Sequence, residues 1–267
     1  MLMGKRVRLS RLLNPKSGRM LSVAIDHTIA YGIIPGLEPV QDVVDKIVDG
    51  QPDSVTLQKG ILERCFERHA GRVGIIMQSM AASPFEPDAE EPVADVAEAL
   101  ALGADAISVA ITFGGAGQAR LTSHLGRVVR DARAAGLPVV AHCYPKGEFI
   151  PGDERLTAER VLYAARSGAE LGVDIVKTFY TGSPESFAKV VEGVPTRVVA
   201  AGGPKQETLN DVLIAVRGAI DAGAAGVTYG RNIWQDPKPG AMIAAIKAVV
   251  HDGATPAEGA EVYEGSC

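Results

Sequence analysis

Short apolar runs rich in valine, isoleucine and threonine recur along this chain. Each run is nearly continuous and does not alternate with polar residues, which is typical of parallel strands that are covered on both faces. The pattern predicts eight strands, at residues 21–26, 54–58, 73–78, 106–111, 138–144, 174–180, 196–203 and 226–232.

Stretches with a helical pattern lie between these runs. Residues 92–102 are amphipathic and are followed by Gly103, and residues 157–171 and 208–222 also end near a glycine. Eight repeats of strand and helix predict an α/β fold, a single (β/α)8 TIM barrel over residues 1–267, with a short flexible, glycine- and glutamate-rich tail from about residue 253. The alternative is a doubly wound open sheet with extra elements, which the eightfold repeat does not favour.

The composition excludes several classes of function. The 267 residues carry a net charge of −5, so bulk electrostatics indicate no nucleic-acid partner and no membrane partner. No apolar run reaches the roughly 18 residues that would span a bilayer. Cys65, Cys143 and Cys267 have no CxxC spacing, which argues against a disulfide framework and a structural zinc site and for a reducing compartment. We therefore expect a cytoplasmic protein.

The sixth run contains a lysine, Lys177, where a strand interior is expected. Lysine is depleted in strands and is rarely buried without a partner. Alternation along the strand puts Lys177 on the same face as Ile175 and Phe179. A crowded, partly dry site lowers the lysine pKa because it disfavours the ammonium form, and the free amine is a nucleophile that can form a Schiff base. The alternative is a lysine that extends to solvent or only holds a substrate anion.

Glycines follow the seventh and eighth runs, where barrel enzymes usually bind phosphate. Glycine lets backbone N–H groups approach an anion closely, and a short helix beginning near Arg231 would point its N-terminus at the same place. These loops predict a phosphate site, although two ordinary glycine turns are the alternative. The residues concerned are Ala201, Gly202, Gly203 and Lys205 after the seventh run and Gly230 and Arg231 after the eighth.

Schiff-base chemistry also needs groups that transfer protons. Tyr144 ends the fifth run and Asp26 ends the first, so both side chains can converge with Lys177 at the barrel mouth. A positive charge nearby would favour the tyrosine phenolate, which suits a proton shuttle. The alternatives are a rim aromatic for Tyr144 and a turn or helix cap for Asp26. The histidines are scattered, so we predict no metal and no cofactor.

At these residues the sequence resembles the archaeal-type class I fructose-bisphosphate aldolase family, which is related to deoxyribose-phosphate aldolase. The likeness implies that Lys177 forms the Schiff base, that Tyr144 donates protons, that Asp26 is a further acid–base group, and that His27 and the two glycine loops bind the phosphorylated substrate. It also implies a homo-oligomer. The matching segments lie at residues 14–18, 26–27, 144–147, 176–178, 201–205 and 230–235.

The resemblance implies reversible cleavage of a phosphorylated ketose, such as fructose 1,6-bisphosphate, to dihydroxyacetone phosphate and an aldehyde. The chain differs from the family pattern at Thr28, at His142-Cys143 and at Lys146, which lie where the family holds the aldehyde. Three alternatives stay open. They are a thiolase that uses a phosphorylated dione and coenzyme A, a synthase of aromatic precursors that condenses a sugar phosphate with an amino-acid semialdehyde, and a non-catalytic barrel that senses sugar phosphates.

Overall fold

The structure, a computed structural model, describes residues 2–266. Eight parallel strands close into a barrel in the order β1-β10-β9-β8-β7-β6-β3-β2, and a separate antiparallel hairpin is formed by β4 and β5. Each barrel strand overlaps one of the predicted runs, with ends that differ by a few residues, so the predicted TIM barrel is confirmed. The strands are β1 Met20–Ala24, β2 Ser54–Gln58, β3 Gly74–Gln78, β4 Met80–Ser83, β5 Glu86–Pro92, β6 Ala106–Phe113, β7 Val139–Pro145, β8 Ile175–Phe179, β9 Arg197–Ala201 and β10 Gly226–Tyr229.

Helices surround this barrel and bury their apolar faces against the strands. Local capping sets where they start: the Thr157 and Thr208 side chains accept backbone N–H groups at the first turns of α7 and α9. No helix within residues 2–266 is long and apolar enough to cross a membrane. The helices are α1 Met3–Leu12, α2 Thr28–Tyr31, α3 Val40–Asp49, α4 Lys59–Cys65, α5 Val96–Ala101, α6 Gln118–Ala135, α7 Ala158–Glu170, α8 Pro184–Glu192, α9 Leu209–Asp221, α10 Arg231–Trp234, α11 Pro239–Lys247 and α12 Pro256–Gly265, with 3-10 turns at Glu67–His69 and Gly152–Glu154 and a π-helix at Ala248–Asp252.

Helix α1 closes the lower end of the barrel, where the strands begin. Its Leu12 side chain is fully buried and Leu9 nearly so. Both pack into an apolar cluster inside the barrel, which separates the lower end from the polar upper end. The strand-side members of this cluster are Met20, Ile76, Ala106, Val140, Ile175 and Val199.

Three aspartates at the lower end share one role, because each precedes a strand and accepts a backbone N–H group from the neighbouring strand. They bind the start of one strand to the next, which fixes the register of the barrel. The bonds run from Leu21 N to Asp53 Oδ2 (2.6 Å), from Ile75 N to Asp105 Oδ2 (3.1 Å) and from Val139 N to Asp174 Oδ2 (2.9 Å).

Helix α1 pairs with two of these carboxylates. Lys5 Nζ lies 2.9 Å from Asp174 Oδ2, and both side chains are 12% exposed. Arg11 lies 3.1 Å from Asp105 Oδ1, but its side chain is 62% exposed. The N-terminal helix is therefore held to the barrel by ion pairs as well as by its leucines.

The β4–β5 hairpin lies between the third predicted strand and the helix predicted at residues 92–102, where the sequence pattern indicated no element. Helix α5 begins later, after Asp95, whose side chain caps it by accepting the Glu98 N–H group. The hairpin strand β5 is rich in acidic residues and proline, which have low strand propensity, so its pattern does not predict a strand.

Helix α12 replaces the flexible tail that the glycines after residue 253 indicated. Thr255 and Glu258 form a reciprocal capping box, and the Tyr263 hydroxyl donates to Asp236 Oδ1 at 2.8 Å. Gly259 is buried, and a Cβ atom there would lie 3.1 Å from Val249, so the glycine lets the helix pack closely. Cys267, one of the cysteines considered above, lies outside the described residues, and Cys65 and Cys143 are free thiols.

Candidate active site

A cavity of about 370 Å³ opens at the upper end of the barrel, where the strands end. The structure brings most of the predicted site residues together around it. Lys205 differs, because it is exposed and does not line the cavity. The predicted residues in its wall are Asp26, His27, Tyr144, Lys177, Ala201, Gly202, Gly203, Gly230 and Arg231.

Lys177 lies in β8 between the apolar cluster below and the cavity above. Ile175 belongs to that cluster, whereas Lys177 and Phe179 line the cavity, as alternation predicts. Only 7% of Lys177 is exposed, and burial lowers the pKa of its amine although the charge of Asp26 opposes the change. None of the hydrogen bonds or ion pairs among the described residues holds this amine. It is therefore disposed to lose its proton.

Asp26 follows β1 and faces the same cavity. Burial acts to raise its pKa, but the positive charge of Lys177 and weaker contributions from nearby histidines and Gln78 leave that pKa below its ordinary value. Gln78 Nε2 donates to Asp26 Oδ2 at 3.1 Å. The carboxylate is therefore ionised and can accept a proton.

Tyr144 ends β7 and stacks on Phe179, with ring centroids 4.5 Å apart. Burial raises the pKa of its hydroxyl well above the ordinary value, and the charges of Tyr31 and Asp26 add to this effect. Contrary to the phenolate expected from the sequence, the hydroxyl keeps its proton because burial dominates. A protonated tyrosine at the cavity suits a proton donor.

The two glycine loops lie against one another at one side of the cavity. A Cβ atom on Gly202 would lie 2.7 Å from the Tyr229 ring, and one on Gly230 would lie 2.7 Å from the His27 ring. The fully buried Asn232 joins the loops, since its Nδ2 atom donates to Gly202 O and Pro204 O at 3.0 Å. This role of Asn232 is not evident from the sequence, because its partners lie in another loop.

His27 and Arg231 border these loops. Burial lowers the pKa of His27 to about 4, so its imidazole is neutral near pH 7. Its ring packs edge-on against the Trp234 ring, and the two ring centroids lie 5.5 Å apart. The Arg231 guanidinium lies 5.6 Å from the Tyr31 ring, and among the described residues its buried Nε atom has no hydrogen-bond partner. This unpaired donor is available to an anion.

The opposite side of the cavity is formed by charged residues, and the sequence pattern predicts no role for two of them, Glu90 and Arg155. Glu90 of β5 is 4% exposed, and Lys146 Nζ lies 3.1 Å from its Oε1 atom and 3.7 Å from Asp88. Burial raises the pKa of Glu90 although Lys146 opposes the change. Arg155 also lines the cavity, and its buried Nε atom has no hydrogen-bond partner within the described chain.

Gln78 and His142 complete the wall beside Lys177. In the pairing of β7 with β8, His142 lies opposite Lys177. No group of three or more histidine, cysteine or acidic side chains within residues 2–266 is placed to hold a metal ion.

Comparison with known proteins agrees with this geometry. Residues 20–236 match the model of the DeoC/LacD family aldolases. The chain is 37% identical over 255 residues to 2-amino-3,7-dideoxy-D-threo-hept-6-ulosonate synthase of Halobacterium salinarum, covering 95% of this chain and 94% of that protein. It is 32% identical over 255 residues to 2-amino-4,5-dihydroxy-6-oxo-7-(phosphonooxy)heptanoate synthase of Streptomyces griseus, covering 94% and 92%.

Solved structures show the same relationship. An archaeal fructose 1,6-bisphosphate aldolase superposes with a TM-score of 0.85 at 29% identity, covering 94% of this chain and 100% of that chain. A Schiff-base-forming fructose-1,6-bisphosphate aldolase gives 0.83 at 30% identity, covering 92% and 99%. The predicted resemblance is confirmed: this chain is an enzyme of the class I aldolase type and belongs to the DeoC/LacD aldolase family.

Proposed function

We propose that this enzyme reversibly joins dihydroxyacetone phosphate to an aldehyde through a Schiff base on Lys177. The observation that carries the proposal is the position of Lys177, a buried amine that has no hydrogen-bond or ion-pair partner among residues 2–266 and faces a cavity beside the ionised Asp26. A lysine whose pKa is lowered by burial is the nucleophile that this chemistry requires.

The steps use the three groups at the cavity. The Lys177 amine attacks the ketone carbon, and the resulting carbinolamine loses its hydroxyl as water with a proton from Tyr144, which leaves an iminium. A base, Asp26 or the tyrosinate, removes a proton from the neighbouring carbon to give the enamine. That carbon attacks the aldehyde, whose oxygen takes a proton, and water then releases the ketose and restores the amine. Cleavage is the reverse.

The phosphate of the ketone is assigned to the glycine loops after β9 and β10. Their close-packed backbone and the unpaired Arg231 Nε atom offer donors to an anion, and Asn232 holds the two loops together. We leave Lys205 out of this assignment because its side chain does not line the cavity.

The aldehyde is assigned to the charged side formed by Glu90, Lys146 and Arg155. The name of the Streptomyces relative's compound describes an aldol, with a ketone at carbon 6 and a hydroxyl at carbon 4. Splitting its C4–C5 bond gives dihydroxyacetone phosphate and a four-carbon amino-acid aldehyde. Carboxylates and an arginine in one wall suit an aldehyde that carries both an ammonium and a carboxylate. The other candidate is glyceraldehyde 3-phosphate, which would make fructose 1,6-bisphosphate the product.

Borohydride reduction with dihydroxyacetone phosphate, followed by peptide mass analysis, tests the Schiff base. We expect a ligand-dependent adduct on Lys177 and none in Lys177→Met. Lys5→Met is the matched control, since it changes a largely buried lysine at the lower end, and it should keep the adduct. An adduct elsewhere, or no adduct with this ligand or with fructose 1,6-bisphosphate, contradicts the proposal.

A second measurement separates the aldehydes. Consumption of dihydroxyacetone phosphate is followed with aspartate semialdehyde and, separately, with glyceraldehyde 3-phosphate. Glu90→Gln should weaken use of the amino aldehyde more than use of the phosphorylated one, because only the former carries an ammonium. A phosphorylated dione with coenzyme A forms a third reaction mixture, and acetyl transfer there would identify a thiolase.

A further inference from the structure

One amide links Asp26 to a histidine on the opposite side of the barrel. Gln78 Nε2 lies 3.1 Å from Asp26 Oδ2 and 3.3 Å from His142 Nδ1. Gln78 Oε1 accepts the Met80 N–H group at 3.0 Å. Both polar atoms of this side-chain amide, the oxygen and the nitrogen with its two hydrogens, therefore have partners in the protein.

These neighbours fix which end of the amide is which. A backbone N–H group can only donate, so the atom bonded to Met80 is the amide oxygen. The ionised Asp26 carboxylate can only accept, so the atom beside it is the amide nitrogen. The second hydrogen of that nitrogen is then left for His142.

The orientation of the amide in turn fixes the tautomer of His142. Its Nδ1 atom accepts from Gln78, so the ring proton resides on Nε2. Burial lowers the pKa of His142 to about 3, and the nearby Lys177 charge acts in the same direction, so the ring is neutral near pH 7. Among the described residues the buried Nε2 atom has no hydrogen-bond partner, and the side chain lines the cavity.

A neutral imidazole in this state is a hydrogen-bond donor and not a proton-transfer group. Its basic nitrogen, Nδ1, is already occupied by Gln78. Its Nε2–H group is too weak an acid to give up the proton near pH 7. The buried donor instead lacks a partner, and burial of an unpaired donor is costly unless a ligand satisfies it.

The order of the strands indicates which part of a ligand reaches His142. Strand β8 lies between β9 and β7 in the barrel. A ketone bound to Lys177 with its phosphate at the loops after β9 and β10 directs its other end toward β7. His142 lies on β7 directly opposite Lys177.

We infer that the His142 Nε2–H group donates to the hydroxyl oxygen on the donor carbon that forms the new bond, and so selects phosphorylated ketones that are hydroxylated there. This inference rests on the proposed function. Dihydroxyacetone phosphate has that hydroxyl, whereas hydroxyacetone phosphate has a hydrogen in its place, so its donor carbon is a methyl group and the Nε2–H group stays unpaired. A site built to bind a hydroxyl rejects the analogue that lacks it.

Trapping rates with these two ketones test the selection. The ratio of their second-order rate constants for borohydride-dependent inactivation should favour dihydroxyacetone phosphate in the wild type. In His142→Phe the ratio should fall by about 10- to 100-fold, since the donor is lost. In His142→Gln the amide can present an N–H group at a similar reach, so the ratio should largely recover. A ratio that is unchanged in His142→Phe overturns the inference.

The tautomer has its own readout. Nitrogen-15 NMR of the wild-type enzyme should show His142 neutral and protonated at Nε2. Gln78→Glu replaces the donating amide by an accepting carboxylate, so the proton should move to Nδ1 and the selection should weaken with it. A wild-type signal protonated at Nδ1 overturns the inference whatever the kinetics show.

The proposed function and the selection by His142 can be contradicted by different results. If the wild type forms no imine with either ketone, the proposed function is wrong and the role of His142 falls with it. If Lys177 is trapped equally well by both ketones in the wild type, the Schiff-base function stands and only the selection by His142 is wrong.

Discussion

Each end of strand β8 has a lysine and an aspartate, in opposite arrangements. At the lower end Asp174 precedes the strand, and Lys5 lies within 3.0 Å of both its carboxylate oxygens. At the upper end Lys177 lies in the strand near Asp26, with no hydrogen bond to its amine among the described residues. The lower pair is joined by direct hydrogen bonds, whereas the upper pair interacts only through its charges.

The difference shows how one pair of residue types serves two purposes. A buried charge is tolerated when its partners satisfy it, and the lower aspartate also accepts the Val139 N–H group. A buried lysine whose amine lacks hydrogen-bond partners has a lowered pKa. More of it is then the free amine, which is the form that acts as a nucleophile. The lower pair stabilises the fold, and we propose that the upper pair performs the reaction.

Exchanging each lysine for methionine gives the largest contrast. Lys177→Met removes the proposed nucleophile, so kcat/KM should fall by more than about 1,000-fold while the free energy of unfolding changes much less. Lys5→Met should leave kcat/KM within about threefold and lower the free energy of unfolding. Steady-state kinetics and urea unfolding of both variants check this. Activity retained in Lys177→Met would contradict the assignment.

Removing the aspartates tests the same contrast from the other partner. Asp174→Ala leaves Lys5 and the Val139 N–H group unpaired, so the free energy of unfolding should fall by about 3 kcal/mol. Asp26→Asn keeps an acceptor for Gln78, so it should lower kcat far more than it lowers stability. Urea midpoints and single-turnover rates measure the two effects. Equal losses of stability in both variants would contradict the view that the lower pair stabilises the fold and the upper pair does not.

Acid should lower the free energy of unfolding through the two buried histidines of the upper end. The pKa values of His27 and His142 are lowered to about 4 and about 3 in the folded protein, whereas unfolded histidines titrate near 6.5. Between pH 6.5 and 5 the unfolded chain therefore binds more protons, so the free energy of unfolding decreases as the pH falls, by at most about 1.4 kcal/mol per pH unit for each histidine. Above about pH 6.5 both histidines are mostly neutral in the folded and the unfolded chain, so the free energy of unfolding no longer falls because of them.

Urea unfolding between pH 5 and 7.5 measures that slope. His142→Gln cannot titrate in this range and should show a shallower dependence than the wild type. If the two slopes coincide, His142 is not the group that resists protonation in the folded state.

The smallest effect is expected at the exposed ion pair of the lower end. Arg11 is mostly exposed to solvent, so its pairing with Asp105 is screened. Arg11→Gln should therefore cost less than about 1 kcal/mol, and less than Lys5→Gln. Unfolding in low and high salt compares the two. A larger loss in Arg11→Gln would show that exposure does not rank these pairs.

The sequence was sufficient for most features that depend on neighbouring residues, although the glycines after residue 253 hid the local capping box of α12. The barrel follows from eight local runs, and Lys177 and the glycine loops stand out because their residue types are unusual at the positions they occupy. Other parts of the site depend on contacts between distant segments. Gln78 meets His142 across 64 positions of sequence, and Glu90 lies on a hairpin whose composition does not suggest a strand. Such pairings are set by strand register, which local patterns do not contain.

The closed lower end has a consequence for the order of binding. Because α1 and its leucines fill that end, the described residues leave Lys177 accessible to small molecules only from the upper end of the barrel. In the proposed reaction the ketone and the aldehyde therefore share the upper opening, and the ketone stays attached to Lys177 until the aldehyde has left. In the cleavage direction the aldehyde has to depart first, so product inhibition should follow an ordered release, with the phosphorylated ketone competing directly with the substrate.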